Sequence, residues 1–262
     1  KALNCSTALF QPTFRNMFIK DVKTFFRDNA QWSQAVMLLA MVGIYLYNFS
    51  VLPLDKTPYP NFYLQNLVSF LNMGLAGFVL SAISVRYIFP AISLEGPAFW
   101  IIRSAPVSIR AFFWSKFLIS LIPLVVLAEV LIIASNYLLR VTPFMMALST
   151  ATIFFLTFGI VALGIGLGAV YPRFHAESAS QIASGFGGIV YMMISMAFIA
   201  LVIALEARPV YVLFMARLNR VTLSYWEWAW TLSPFLLVVV VMILAVALPL
   251  RIGLRKLSEM DF

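Results

Sequence analysis

Residues 141–172 read VTPFMMALSTATIFFLTFGIVALGIGLGAVYP, 32 positions without a charged side chain. A helix needs about 20 apolar residues to cross a hydrocarbon layer about 30 Å thick. The stretch is long enough, and it lacks the period-two alternation of a barrel strand. Working outward from it, Asn29–Leu54, Thr57–Val85, Ser178–Leu205 and Trp228–Leu250 are also free of charge. Phe117–Leu139 is interrupted only by Glu129. Six such intervals predict six transmembrane helices, at about Trp32–Val51, Leu67–Ile88, Phe117–Leu138, Leu148–Val170, Ile182–Leu205 and Leu232–Leu250. The fold class expected is an all-α polytopic membrane protein, one domain over 1–262.

The composition of the 262 residues agrees. It is 63% hydrophobic and 11% charged, where soluble domains hold about a quarter charged residues and just under half apolar ones. That excludes a soluble enzyme, a disordered chain and a disulfide scaffold. Cys5 is the single cysteine, and no His/Cys cluster has metal-ligand spacing, so no metal is expected. The net charge of +8 reads first as an orientation signal. Thirteen basic residues, among them Lys20, Arg86, Arg110, Arg173 and Arg251, fall on the side of the termini. Five, namely Lys56, Arg140, Arg208, Arg217 and Arg220, fall on the other. The excess predicts both termini in the cytoplasm.

Between the spans, residues 14–29 form an amphipathic pattern. Phe14, Met17, Phe18, Val22, Phe25 and Phe26 share one face, with Lys20, Lys23 and Arg27 opposite. This is the pattern of a helix lying in the membrane interface, or of a soluble helix packed on another protein. Residues 89–110, FPAISLEGPAFWIIRSAPVSIR, carry turn chemistry at 93–97 and a short apolar helix that Pro106 ends. That much apolar surface on the water side requires a cover: a partner protein, the lipid interface or the bundle itself. A short turn over 171–181 holds Arg173, Glu177 and His175, the single histidine, which reads best as a solvated turn residue. Residues 206–231 read as a hairpin dipping into the outer interface. Glu129, alone in an apolar span, should face the bundle interior, a wet cavity or a basic partner, or be protonated. The glycines of residues 159–188, including the GxxxG pair Gly164 and Gly168, read as helix packing.

The sequence has no GxxxxGK[ST], GxSxG, HExxH or CxxC. Three classes remain: the membrane half of a pump driven by a separate ATPase, a proton-coupled secondary transporter using Glu129, and a membrane-embedded enzyme using His175 or Glu129. A carrier usually needs more than one intramembrane ionisable group, and an enzyme needs several polar groups at one depth. The apolar cytoplasmic loop favours the first.

The order of elements resembles the transmembrane domain of type-2 ABC exporter permeases. So do two segments, Ile92-Ser-Leu-Glu-Gly-Pro-Ala-Phe-Trp100 running into Ser104-Ala-Pro-Val-Ser108 and Lys116, and Tyr171-Pro-Arg-Phe174 followed by 177–188. The resemblance implies that 14–29 is an elbow helix. It further implies a coupling helix with Glu95, Gly96, Phe99, Trp100, Arg103 and Pro106 docked on a nucleotide-binding ATPase subunit. A second contact would run through Arg173, His175 and Glu177. The chain itself would be no enzyme and bind no cofactor, with ATP and Mg2+ on the partner subunit. It would export a substrate by alternating access from the bacterial cytoplasmic (inner) membrane. A second six-helix unit would be needed, either another copy or the rest of a longer permease.

Overall fold

The computed structural model describes residues 18–20, 23–24, 26–27, 29–51, 61–98, 108–174, 178–218 and 224–259, and every regular element among them is helical. The helices are α1 (Asn29–Ser50), α2 (Asn61–Tyr87), α3 (Ile109–Leu139), α4 (Pro143–Val170), α5 (Ala179–Ala183), α6 (Phe186–Leu218) and α7 (Tyr225–Glu259). Two 3-10 turns, Phe89–Ala91 and Ser93–Ala98, follow α2.

Among the described residues, five segments are long and apolar enough to cross a membrane: Leu64–Gly96, Ile109–Leu139, Pro143–Val170, Phe186–Ala216 and Trp230–Glu259. This is a membrane protein. The first expected span falls on α1, whose described apolar part, Val36–Ser50, is shorter than the other five. The stretch expected to be an outer hairpin begins differently. α6 continues through Glu206 and Pro209 to Leu218, and residues 219–223 lie outside the described part.

Local chemistry sets the helix ends. Ser108 caps α3 by accepting from the Ala111 N–H at 3.2 Å. α3 stops at Arg140, whose left-handed φ of 53° turns its N–H back onto the carbonyls of Asn136 and Tyr137. Thr142 then caps α4, with Pro143 in the first turn, where its missing N–H costs nothing. α3 and α4 are therefore joined by a tight hairpin. Asn66 of α2 pins it by accepting from the Thr142 N–H at 3.1 Å and hydroxyl at 2.8 Å.

α4 is the centre of the bundle and packs on α2, α3, α6 and α7. In its most apolar stretch 72% of the residues are buried, against 11% in that of α7. Ile153, Leu156 and Ile160 of α4 meet Met73, Ala76 and Leu80 of α2 and Ile199 and Val202 of α6 in one core cluster, all fully buried. Lipid offers no hydrophobic drive to bring helices together, so close backbone approach and interhelical hydrogen bonds must do it. Both are present. A methyl group on Gly166 would stand 2.5 Å from the Pro249 carbonyl, so α4 and α7 can touch there only through glycine. Buried polar side chains link the helices: Ser69 to Asn136 at 2.6 Å, Asn136 to Ser149 at 2.6 Å, Asn72 to Ser135 at 2.7 Å, Ser81 to Ser195 at 2.6 Å, and the Tyr45 hydroxyl to Asn72. Leu, Ile, Val and Phe side chains cover the outer faces, such as Leu236, Val240 and Ile243 of α7.

Candidate functional site

The turn Ser93–Ala98 lies past the end of α2, where Pro90 prevents a regular helix from continuing. It presents Glu95 inward, only 8% exposed. The Lys20 ammonium donates to both carboxylate oxygens of Glu95 at 2.6 Å. Lys116, in the third turn of α3 and itself buried, donates to Oε1 at 2.7 Å. One carboxylate thus ties the 18–27 stretch, the 93–98 turn and the base of α3 together. The Glu95–Lys116 half is withdrawn from water, whereas Lys20 is half exposed and brings the surplus positive charge to the surface.

The same turn rests on residues 173–174. Ser93 Oγ accepts from the Arg173 N–H at 3.1 Å. A methyl group on Gly96 would lie 2.5 Å from the Phe174 carbonyl oxygen and 2.7 Å from its Cα, so this position admits no side chain. Arg173 in turn lays its guanidinium against Gly185, just before α6. Segments far apart in the chain therefore converge beneath the bundle.

Of the candidate residues that the sequence suggests, the structure gathers Lys20, Glu95, Gly96 and Arg173 into this junction. Lys23 and Arg27 are exposed on the same stretch as Lys20. Phe99, Trp100, Arg103, Pro106, His175 and Glu177 lie outside the described residues. Lys116 is a member of the junction that the sequence pattern does not mark as a site residue. A signal for it exists nonetheless: a lysine immediately before the apolar span that begins at Phe117, on the side where Glu95 needs a counter-charge.

Two further carboxylates lie within the spans. Glu129 of α3 borders a cleft of about 610 Å³ along α4, and both its oxygens are buried without a hydrogen-bond partner. Glu206 of α6 is 2% exposed. One of its oxygens accepts from the Thr152 hydroxyl of α4 at 2.8 Å, and the other has no partner. Charge spacing alone puts Glu206 at the edge of a loop, because it is the first charge after an apolar run. Its burial depends on Thr152, a partner 54 positions away.

The model of the family described as "Putative ATP-binding cassette" matches residues 1–262. The chain belongs to this family. No curated protein and no solved structure matches it significantly. Membership gives the chain a role in an ATP-binding cassette (ABC) transporter complex. It also corrects three expectations. The resemblance to a type-2 ABC exporter permease gives way to a family described by the cassette itself. The function built on that resemblance, a permease exporting a substrate on the power of a separate ATPase subunit, falls with it. Neither the proton-coupled carrier nor the membrane enzyme gains support. The expectation that the chain is no enzyme is also withdrawn, because the family description points to an ATPase-type domain. The resemblance rests on short turn motifs and on the order of apolar spans, and the latter is a feature that bilayer physics imposes on many unrelated helical chains.

Family membership implies ATP and Mg2+, and the described residues can be tested for fit. A phosphate cradle needs backbone N–H groups at a glycine-rich helix start, open to a ligand. The glycines before and at the start of α6 come nearest. There Gly185 faces the Arg173 guanidinium, and Gly187 faces the rings of Tyr171 and Phe89. The Gly185 N–H that a phosphate would need is already bonded to the Ile182 carbonyl at 3.1 Å. Nor do three His, Cys, Asp or Glu side chains come together to hold a metal among the described residues. The described residues do not fit the nucleotide or its metal.

Proposed function

We propose that this chain is the membrane-embedded helical part of an ABC transporter complex in a bacterial cytoplasmic membrane. In this reading α1 completes a set of six spans, both termini face the cytoplasm, and 14–29 lies in the inner interface as an elbow. The thirteen-to-five distribution of basic residues supports that orientation. Further units of the complex would meet the chain at its cytoplasmic face and along the bundle.

The observation that carries the reading is the Glu95 junction. A displacement of the 93–98 turn cannot remain local, because Glu95 is bound to Lys116 on α3 and to Lys20, and Gly96 is seated on Phe174. Movement at the cytoplasmic face would pass into α3 and, through the contact of Arg173 with Gly185, into α6. A buried, doubly paired carboxylate suits a relay with few alternative arrangements. The experiment isolates the assembled complex from its membrane and measures nucleotide hydrolysis. Glu95→Gln keeps the size of the side chain and cuts its charge contacts, and the rate should fall severalfold while the complex still assembles. Should Glu95→Gln not assemble, Lys20→Gln severs the exposed half of the same contact. An unchanged rate in an intact complex sinks the reading.

A further inference from the structure

α7 is the least covered of the five long spans, with 11% of its most apolar stretch buried. Near its end one face is pressed on α4. A methyl group on Gly253 would stand 2.7 Å from the Gly166 carbonyl oxygen, and Leu257, one turn on, is 1% exposed. Two steps along a helix turn the chain by about 200°, so residues two apart point to opposite sides. Arg251 and Arg255 stand two before and two after Gly253. They lie on the side of α7 turned away from the bundle, and both are exposed.

Back along that side Leu248, Leu244, Val240 and Leu237 follow at spacings of three or four, all exposed. Together they form one apolar stripe that ends in two arginines. From Leu237 to Leu248 the helix rises about 16 Å, close to the hydrocarbon of one leaflet at about 15 Å. Arg251 and Arg255 stand about 4 and 10 Å beyond Leu248. A headgroup layer is about 5–8 Å deep, so the pair brackets it.

Both guanidinium groups are within reach of that layer. Arg251 has no hydrogen bond or ion pair among the described residues. Arg255 gives its Nε–H to Glu259 at 2.7 Å, yet its side chain is 82% exposed and most of its fork stays open. Lys256 is exposed next to it, so 251–259 carries three cations against one anion. A guanidinium matches a phosphate through two parallel N–H···O bonds. A zwitterionic lipid would bring its own ammonium into this positive field, whereas an anionic lipid brings no such opposing charge.

We infer that the end of α7 is a docking surface for an anionic phospholipid, with its phosphate between Arg251 and Arg255 and an acyl chain along Leu248 and Leu244. The inference stands on the outer face of α7 and does not depend on the Glu95 junction.

The test is native mass spectrometry of the full chain in mild detergent, with phosphatidylglycerol or phosphatidylcholine of the same acyl chains added. The chain should retain phosphatidylglycerol in preference, and inorganic phosphate at the same concentration should not displace it. The double variant Arg251→Gln/Arg255→Gln should weaken retention by about tenfold or more. Its melting temperature should not move, because both side chains are exposed. Arg110→Gln removes an exposed charge from α3 on the same side of the membrane and should leave retention unchanged. Equal retention of the two lipids, displacement by inorganic phosphate, or an equal loss for Arg110→Gln each overturns the proposal. So does undiminished retention in the folded double variant, including the case in which that variant instead loses association with another protein chain. If the double variant does not fold, Arg251→Gln alone decides in the same way.

Discussion

Glu95 and Glu129 are both carboxylates drawn away from water, and the bundle treats them in opposite ways. Glu95 sits beneath the helices with an ammonium on either side, at 2.6 and 2.7 Å, and its turn is locked onto a neighbouring backbone. Glu129 stands within a span with both oxygens covered and neither hydrogen-bonded. The first arrangement is complete without a ligand, and its value lies in holding segments in register. The second is incomplete. The contrast separates a carboxylate that organises the chain from one that holds nothing in place.

Removing one partner from the complete site should therefore cost far more than neutralising the incomplete one. Lys116→Ala leaves Glu95 buried against one half-exposed lysine. It should lower the stability of the detergent-solubilised protein by about 3–5 kcal/mol, read as a large drop in melting temperature. Gly96→Ala keeps every charge and forces the turn off Phe174. An overpacked contact of that kind should cost about 1–3 kcal/mol, with the same melting assay as the check. At the small end, Glu129→Gln removes a charge that nothing balances, and the melting temperature should stay level or rise slightly. A fall for Glu129→Gln as large as that for Lys116→Ala would erase the comparison.

Most of the helical architecture can be read from the intervals between charges, because a bilayer demands some 20 apolar residues per span and hydropathy records that directly. The limits of such a reading show at Glu206. Ending each span at the first charge means stopping at Leu205, yet the helix continues because Thr152 accommodates the carboxylate from another element. Asn72 and Asn136 escape notice for a related reason. Neutral polar residues do not break an apolar interval, and only the packed bundle shows that Tyr45, Ser69, Ser135 and Ser149 are their partners. Glu95, Gly96 and Arg173 stand out through turn chemistry and family resemblance. Their convergence with Lys20 and Lys116 joins positions up to 153 apart in the chain, a relation no local pattern encodes. The resemblance to exporter permeases misleads where it leans on the order of spans, since that order reflects the membrane more than the machine built in it.

The contact between Gly166 of α4 and Pro249 and Gly253 of α7 also bears on how the protein is made. α4 is the innermost helix, but α7, which covers one of its sides, is the last of the described helices to leave the ribosome. Until α7 arrives, the small-residue flank of α4 has only lipid or the insertion machinery against it. The bundle therefore cannot close in the order in which it is translated. A chain stopped short of Tyr225 would present to quality control a helix whose flank has been shaped, down to single glycines, for a neighbour that never came.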